Sequence, residues 1–187
     1  LWYLKYPLVD HEEYIVVATT RPETMLGDTA VAVNPKDERF KDYIGKKIKL
    51  PLTEREIPII SDEFVNVEFG TGCVKVTPAH DPNDFEMGQR HNLKFINIMN
   101  DDATLNENVP EKFRKISREE ARKLVVAEME SLNLLDKIED YTNNIGYSER
   151  GGVPIEYYLS DQWYLKMDDL AMPAEDVVKS KKINFHP

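Results

Sequence analysis

The chain has 187 residues, 41% hydrophobic and 31% charged, with 24 basic and 34 acidic side chains and a formal net charge of −10. That is room for one domain with its own core, and 8 glycines, 11 prolines and a single cysteine exclude a disordered chain, a collagen and a disulfide scaffold. No apolar run approaches the roughly 20 residues that cross a bilayer, so no membrane partner is expected, and the acidic balance argues against a general nucleic-acid binder, whose footprint is basic.

Leu1 to Val9 and Tyr14 to Thr20 are rich in β-branched and aromatic residues and read as two strands, with Asp10-His11-Glu12-Glu13 as the turn between them. Thr29 to Val33, Ile48 to Leu52, Ile57 to Ile60 and Val74 to Thr77 follow as further short strands. Pro51 and Pro58 favour edge positions, because proline cannot donate to a ladder. Asp81-Pro82-Asn83-Asp84 is a helix start, with an Asp N-cap, Pro at the first helical position and an acid in the first turn. Ser117-Arg118-Glu119-Glu120 is a capping box, and Ala121, Leu124, Val125, Met129 and Leu132 recur at helical spacing behind it. A last helix is expected within Asp168 to Lys182, before a strand-like end at Ile183 to Pro187. The expected fold is mixed α/β (α+β), a β-barrel-like core with peripheral helices. The chain opens Leu1-Trp2-Tyr3 without an initiator Met or a targeting segment, so a reducing cytoplasm is the default compartment and both ends read as cut from a longer protein. The lone Cys73 reads as a small buried apolar residue.

Three constellations could carry chemistry. In Thr19-Thr20-Arg21-Pro22-Glu23-Thr24 a strand ends in hydroxyls, and Thr20 with Glu23 has capping-box spacing for a short helix. Such a start offers free N–H groups, hydroxyls and a guanidinium to an ester carbonyl, a ribose or a phosphate. In Phe69-Gly70-Thr71-Gly72-Cys73-Val74-Lys75-Val76-Thr77 the glycines allow either close approach to a ligand or a plain turn. Lys75 and Thr77 share one face of their strand. The third, Pro78-Ala79-His80-Asp81-Pro82-Asn83-Asp84 with His91, suggests a metal site by residue type, yet Asp81 and Asp84 are well used at a helix start and no recognised ligand spacing appears. No metal is therefore expected. The basic cluster Lys112, Arg114, Lys115, Arg118, Arg122 and Lys123 reads as a solvated helix face or as a surface brushing an RNA backbone.

Together these words resemble a known family. Ala18-Thr19-Thr20-Arg21-Pro22-Glu23-Thr24-Met25-Leu26-Gly27-Asp28-Thr29-Ala30 is similar to the Thr-rich segment of the editing domain inserted in valyl-tRNA synthetases. Gly70-Thr71-Gly72-Cys73-Val74-Lys75-Val76-Thr77-Pro78-Ala79-His80-Asp81-Pro82-Asn83-Asp84-Phe85-Glu86 and Leu159-Ser160-Asp161-Gln162-Trp163-Tyr164 continue the likeness over nearly the whole chain. Isoleucyl versions differ at Arg21 and Lys75, and leucyl versions lack the Lys-x-Thr pair. Neither His-x-Gly-His nor Lys-Met-Ser-Lys-Ser is present, so the resemblance implies editing without aminoacylation.

The resemblance implies one editing domain over residues 1–187, with 1–9 and 159–187 as connections toward a catalytic domain. It implies hydrolysis of the ester of Thr-tRNA(Val), with the tRNA 3′ end and the rest of the synthetase as partners. No cofactor is implied for editing; ATP and magnesium belong to the full-length enzyme. Asp84 is implied to hold the α-amino group and Asp81 the threonine hydroxyl, with Lys75 and Thr77 in the same pocket. Thr19, Thr20 and Arg21 would hold the adenosine and the ester, Phe69 would wall the pocket, and Glu23, Thr24, Gly70 and His80 complete the expected site. Many valyl enzymes carry Cys-x-x-Cys where this chain has Ser148 and Gly151, so this loop cannot hold that zinc and should be held by packing alone. An isoleucyl- or leucyl-type editing domain, a non-hydrolytic module holding a tRNA end and a metal-dependent hydrolase are the alternatives.

Overall fold

The computed structural model describes residues 1–9, 11–183 and 185. In chain order the strands are β1 (Trp2–Pro7), β2 (Tyr14–Thr19), β3 (Ala30–Val33), β4 (Lys47–Lys49), β5 (Glu56–Ser61), β6 (Cys73–Val76) and β7 (Leu135–Ile138). The α-helices are α1 (Pro82–Arg90), α2 (Arg118–Ser131) and α3 (Asp168–Lys179). The strands expected between Leu1 and Thr77 all form with shifted ends: β1, β2 and β3 are shorter than expected, β4 and β6 start and end earlier, and β5 is longer by a residue at each end. Asp10 of the expected turn Asp10 to Glu13, and most of the strand-like end at Ile183 to Pro187, lie outside the described residues.

The strands make two sheets, β2-β1-β7 and β4-β5-β3-β6. A closed barrel does not form. On one side a single bridge, Leu8 to Ile48, links the sheets. On the other, the Thr71 hydroxyl takes the Val16 carbonyl at 2.6 Å, where a backbone donor would have to sit for a ladder to continue. Gly70 and Gly72, at φ of 60° and 80°, turn the chain just before β6, so these glycines serve a turn.

β2 alternates, with Ile15, Val17 and Thr19 buried, as a strand with one face on the core must. β3 is buried at all four positions. Val31 and Val33 join the main core with Leu4, Tyr6, Met25 and Leu26, while Ala30 and Ala32 face a smaller cluster with Val65, Val76 and Met87. Burying each large aliphatic side chain contributes about 1.5–3 kcal/mol. β5 is an inner strand, against the expectation for Pro58, yet its ladders are staggered. Pro58 faces Lys47 of β4, and pairing with β3 starts only at Ile59, so on the β3 side the proline has no ladder partner to deprive of a hydrogen bond.

Both expected helix starts are present. Asp81 accepts from the Asn83 and Asp84 backbone N–H groups at 2.9 and 3.2 Å, and Ser117 with Glu120 forms the full capping box. Thr20 does not cap with Glu23. Pro22–Gly27 is a fully buried 3-10 turn without a side-chain cap. The Glu23 carboxylate instead takes Arg122 of α2 through two 2.8 Å bonds, because a carboxylate with no exposure needs a cation more than a backbone donor. α3 buries no residue. Among the described residues no helix is long and apolar enough to cross a membrane. Ser148 holds its exposed loop by hydrogen bonds rather than by packing, its Oγ accepting from Gly151 N and its carbonyl from Gly152 N. Residues 1–9 include the central strand β1, so they are integral to this fold whatever they connect.

Candidate active site

The end of β2, the buried 3-10 turn, β6 and the start of α1 converge on a cavity of about 350 Å³. Ten of the twelve expected site residues line it: Thr19, Thr20, Arg21, Thr24, Phe69, Lys75, Thr77, His80, Asp81 and Asp84. Glu23 does not, because its carboxylate is bound to Arg122, and neither does Gly70, which turns against Ala18.

Asp84 sits one turn into α1, where the cap set by Asp81 aims it back at β6. Its Oδ2 accepts from Thr77 N at 2.8 Å, and its other oxygen takes no hydrogen bond among the described residues. Burial pushes its carboxyl up to about 7, against the pull of Lys75 and the Thr77 N–H, with Asp81 and Asp28 adding to the rise. Asp81 uses Oδ1 for the cap and likewise leaves Oδ2 without a partner among the described residues.

Below them lies a buried polar network. Lys75 Nζ donates to Thr77 Oγ1 at 2.6 Å, Thr24 Oγ1 at 2.7 Å and Asp28 Oδ1 at 3.2 Å. Thr77 Oγ1 donates to the same Asp28 oxygen at 2.6 Å, and Tyr6 OH donates to Asp28 Oδ2 at 2.7 Å. Asp28 has no exposed surface; burial raises its carboxyl, opposed by Lys75 and by the hydrogen bonds of Thr77 and Tyr6. Sequence reasoning missed Asp28 and Tyr6 as parts of the site. The available signal was an acid directly before a strand whose every residue is buried, since such a carboxylate must find partners inside.

His80 lines the cavity but its ring is committed. Nε2 accepts from Ile98 N at 2.9 Å, Nδ1 faces the Tyr157 carbonyl at 3.2 Å, and burial pulls the imidazole down to about 4. It is neutral, with Nδ1 as the donor. His91 pairs with Asp62 at 2.9 Å, so the structure does not gather His80, Asp81, Asp84 and His91 into one cluster. Among the described residues no group of three or more His, Cys, Asp or Glu side chains is placed to hold a metal ion. Cys73 is buried, which pushes its thiol up to about 12.

The rim is built differently. Arg21 donates to the His80 carbonyl at 2.8 Å and to Glu156, which also takes Arg118. Phe69, half exposed, meets Tyr141 edge-on with ring centroids 6.4 Å apart. A neighbouring cavity of about 580 Å³ shares Leu1, Thr20, Arg21, Tyr141 and Asn143 with the first and adds Arg118 and Arg122. Part of the basic cluster expected on a solvated face is therefore spent in ion pairs, Lys112 with Glu128 among them.

The site can hold a ligand by a cation and a hydroxyl at two neighbouring carboxylates, above a floor of oriented hydroxyls. The family model described as "Leucyl-tRNA synthetase, editing domain" matches residues 39–144, more than half of the chain and including Lys75, Thr77, Asp81 and Asp84. The chain is 57% identical over its full length to the valine–tRNA ligase of Francisella tularensis and covers 20% of that protein. It is 55% identical over its full length to the valine–tRNA ligase of Clostridium perfringens, covering 21%. It thus spans about a fifth of the relatives it matches. Among solved structures, GlLeuRS-CP1 has a TM-score of 0.60 at 12% identity, covering 77% of this chain and 99% of that one. The LeuRS of Agrobacterium radiobacter K84, in a ternary complex with tRNA and LeuAMS, also has a TM-score of 0.60, at 18% identity over 73% of this chain and 19% of that one. The chain belongs to the editing-domain family of aminoacyl-tRNA synthetases, and its sequence sets it with the valine–tRNA ligases.

Proposed function

We propose that this domain carries out post-transfer editing within a valyl-tRNA synthetase, hydrolysing the ester of Thr-tRNA(Val). The observation that carries this reading is the pair Asp81 and Asp84, each with one oxygen committed to the fold and the other left for a ligand in the same cavity. The Asp84 carboxylate takes the α-ammonium of the misattached amino acid in a charge-assisted bond. That cation in turn draws the carboxyl, otherwise held near 7, into its ionised form. Asp81 Oδ2 accepts from the threonine hydroxyl, and Thr77 lines the same pocket.

The need for such a pocket follows from shape. Thr and Val are nearly isosteric, and a hydrophobic synthetic site rejects the added hydroxyl by only about a hundredfold, the established figure for this pair of amino acids. A polar pocket inverts the preference. Valine leaves its acceptors buried and unpaired, at a cost of roughly 1–3 kcal/mol for each.

None of the side chains on the floor is a free base. Lys75 has spent its protons and His80 is locked, so the hydrolytic water is oriented rather than deprotonated by them, with a ribose hydroxyl of the substrate as its nearest helper. Arg21, Thr19 and Thr20 face the terminal adenosine, and Phe69 walls it. The reading draws on no cofactor, ATP and magnesium serving aminoacylation elsewhere in the full-length enzyme. A tRNA substrate sets the activity in the cytoplasm.

The acidic chain is no obstacle. From Phe69 to Lys94 three acids (Asp81, Asp84, Glu86) meet three bases (Lys75, Arg90, Lys94), and a pocket that takes only the tip of a tRNA has few phosphates to neutralise. The test is deacylation of tRNAs charged with the wrong amino acid, in the full-length synthetase and in this domain. Thr-tRNA(Val) is hydrolysed and Asp84→Ala slows that at least tenfold, whereas preferred hydrolysis of a misacylated tRNA(Ile) or tRNA(Leu) would assign the domain to a sister specificity.

A further inference from the structure

The direction of each hydrogen bond on the cavity floor can be read from proton counts. Lys75 has three N–H groups and three acceptors, Thr24 Oγ1, Thr77 Oγ1 and Asp28 Oδ1, so it retains no proton for a ligand. Thr24 has one hydroxyl proton, donated to the Arg21 carbonyl at 3.0 Å. Thr77 has one, donated to Asp28. What these groups still offer the cavity is lone pairs, and the free oxygens of Asp81 and Asp84 above them are acceptors too.

We infer that Asp28, which touches no ligand, fixes this polarity as a positioning residue, so that the pocket selects a side chain by its ability to donate a hydrogen bond. Asp28 is the sink of the network: it receives protons from Tyr6, Thr77 and Lys75 and gives none. Remove that sink and the Thr77 proton turns toward the cavity, making the floor a donor. This deepens the editing reading and depends on it. Its consequence is sharper than a preference for polar side chains: a group that only accepts is rejected like a methyl.

The test uses amide-linked, non-hydrolysable aminoacyl-adenosines, with binding measured by calorimetry. In the wild-type protein the threonyl analogue and the 2,3-diaminobutanoyl analogue, whose amine donates, bind at least tenfold more tightly than the valyl analogue. The 2-amino-3-fluorobutanoyl analogue, in which fluorine replaces the hydroxyl at nearly the same size, binds no better than valyl. Asp28→Ala collapses this ranking. Asp28→Asn, whose carbonyl oxygen can still face Lys75 and Thr77 while its amide donates to Tyr6, keeps it. Because Asp28→Ala can fail to fold, the wild-type carbon-13 shift of the Asp28 carboxyl is a second readout; at neutral pH it must be that of an ionised carboxylate. Equal binding of the fluoro and threonyl analogues, an unchanged ranking in folded Asp28→Ala, or a protonated Asp28 overturns the inference alone. Failure of every analogue to bind counts instead against the editing reading.

Discussion

The floor and the rim of the cavity are both made of charges, yet they are different kinds of structure. On the floor, Asp28, Lys75, Thr77, Thr24 and Tyr6 are buried, and they are carried by β1, by β6 with the residue after it, and by the segment leading into β3. Ladders fix β6 and β3 against each other from Ala30–Val76 to Val33–Cys73. Every proton there has an assigned acceptor. On the rim, Glu156 belongs to a largely exposed segment without helix or ladder, and it pairs with two arginines of other segments. The difference separates two tasks. A floor that cannot rearrange discriminates between near-isosteric side chains, whereas a rim held by exchangeable ion pairs can yield to a larger, phosphate-bearing substrate.

Stability measurements test that contrast most strongly. Lys75→Ala leaves Asp28 buried without its cation and lowers stability by about 3–5 kcal/mol in urea titrations. Glu156→Ala, at a partly exposed ion pair, lowers it by about 1 kcal/mol or less. Similar losses for the two variants would erase the distinction.

Next in size is binding. Asp84→Ala removes a charge-assisted bond worth about 1.5–3 kcal/mol and lowers kcat/KM for the misacylated tRNA on the order of 10- to 100-fold, with Arg118→Ala affecting it less. A larger loss at Arg118 would move discrimination to the rim.

The pH dependence is a finer probe of the same floor. Asp84 has its carboxyl raised to about 7 in the folded chain, above the 3.8 of an unperturbed Asp. Between those values the folded state holds a proton that the unfolded state has lost, so this group's contribution to stability is full below about pH 4 and is lost as pH rises through about 7. Asp84→Asn removes that slope, and the variant gains on the wild type as pH increases over this window. Deacylation runs the other way, since an ionised Asp84 is needed: kcat/KM of the wild type rises with pH through about 7. Parallel stability curves for wild type and Asp84→Asn would mean that Asp84 titrates as an ordinary exposed acid.

The same contrast governs what the sequence disclosed. The floor was legible wherever local rules act. The Asp81 cap, Pro82 at the first helical position and the shared face of Lys75 and Thr77 follow from periodicity and capping, and these put two carboxylates beside a lysine. What tertiary pairing decides stayed hidden. Glu23 has capping spacing but is claimed by Arg122, 99 residues away, because a buried charge outbids a helix cap. β7 is four residues long with one half-buried end, too little pattern to see, and it forms because β1 offers an edge. The expected barrel does not close: the two sheets meet at the Leu8–Ile48 bridge on one side and through the Thr71 hydroxyl, which donates to the Val16 carbonyl, on the other, contacts between distant segments that no local pattern announces. Glu156 gave no signal at all, since an acid in an irregular segment looks like any solvated acid until its arginines are located.

The central claim is that this pocket favours threonine over valine on the same tRNA, and one ratio tests it most directly. With Thr-tRNA(Val) and Val-tRNA(Val) presented side by side to the full-length synthetase carrying this domain, deacylation of the threonyl ester is faster by at least tenfold, and Asp81→Ala, at the carboxylate that takes the threonine hydroxyl, removes the difference. Equal rates on the two esters, or faster loss of valine, would contradict the account.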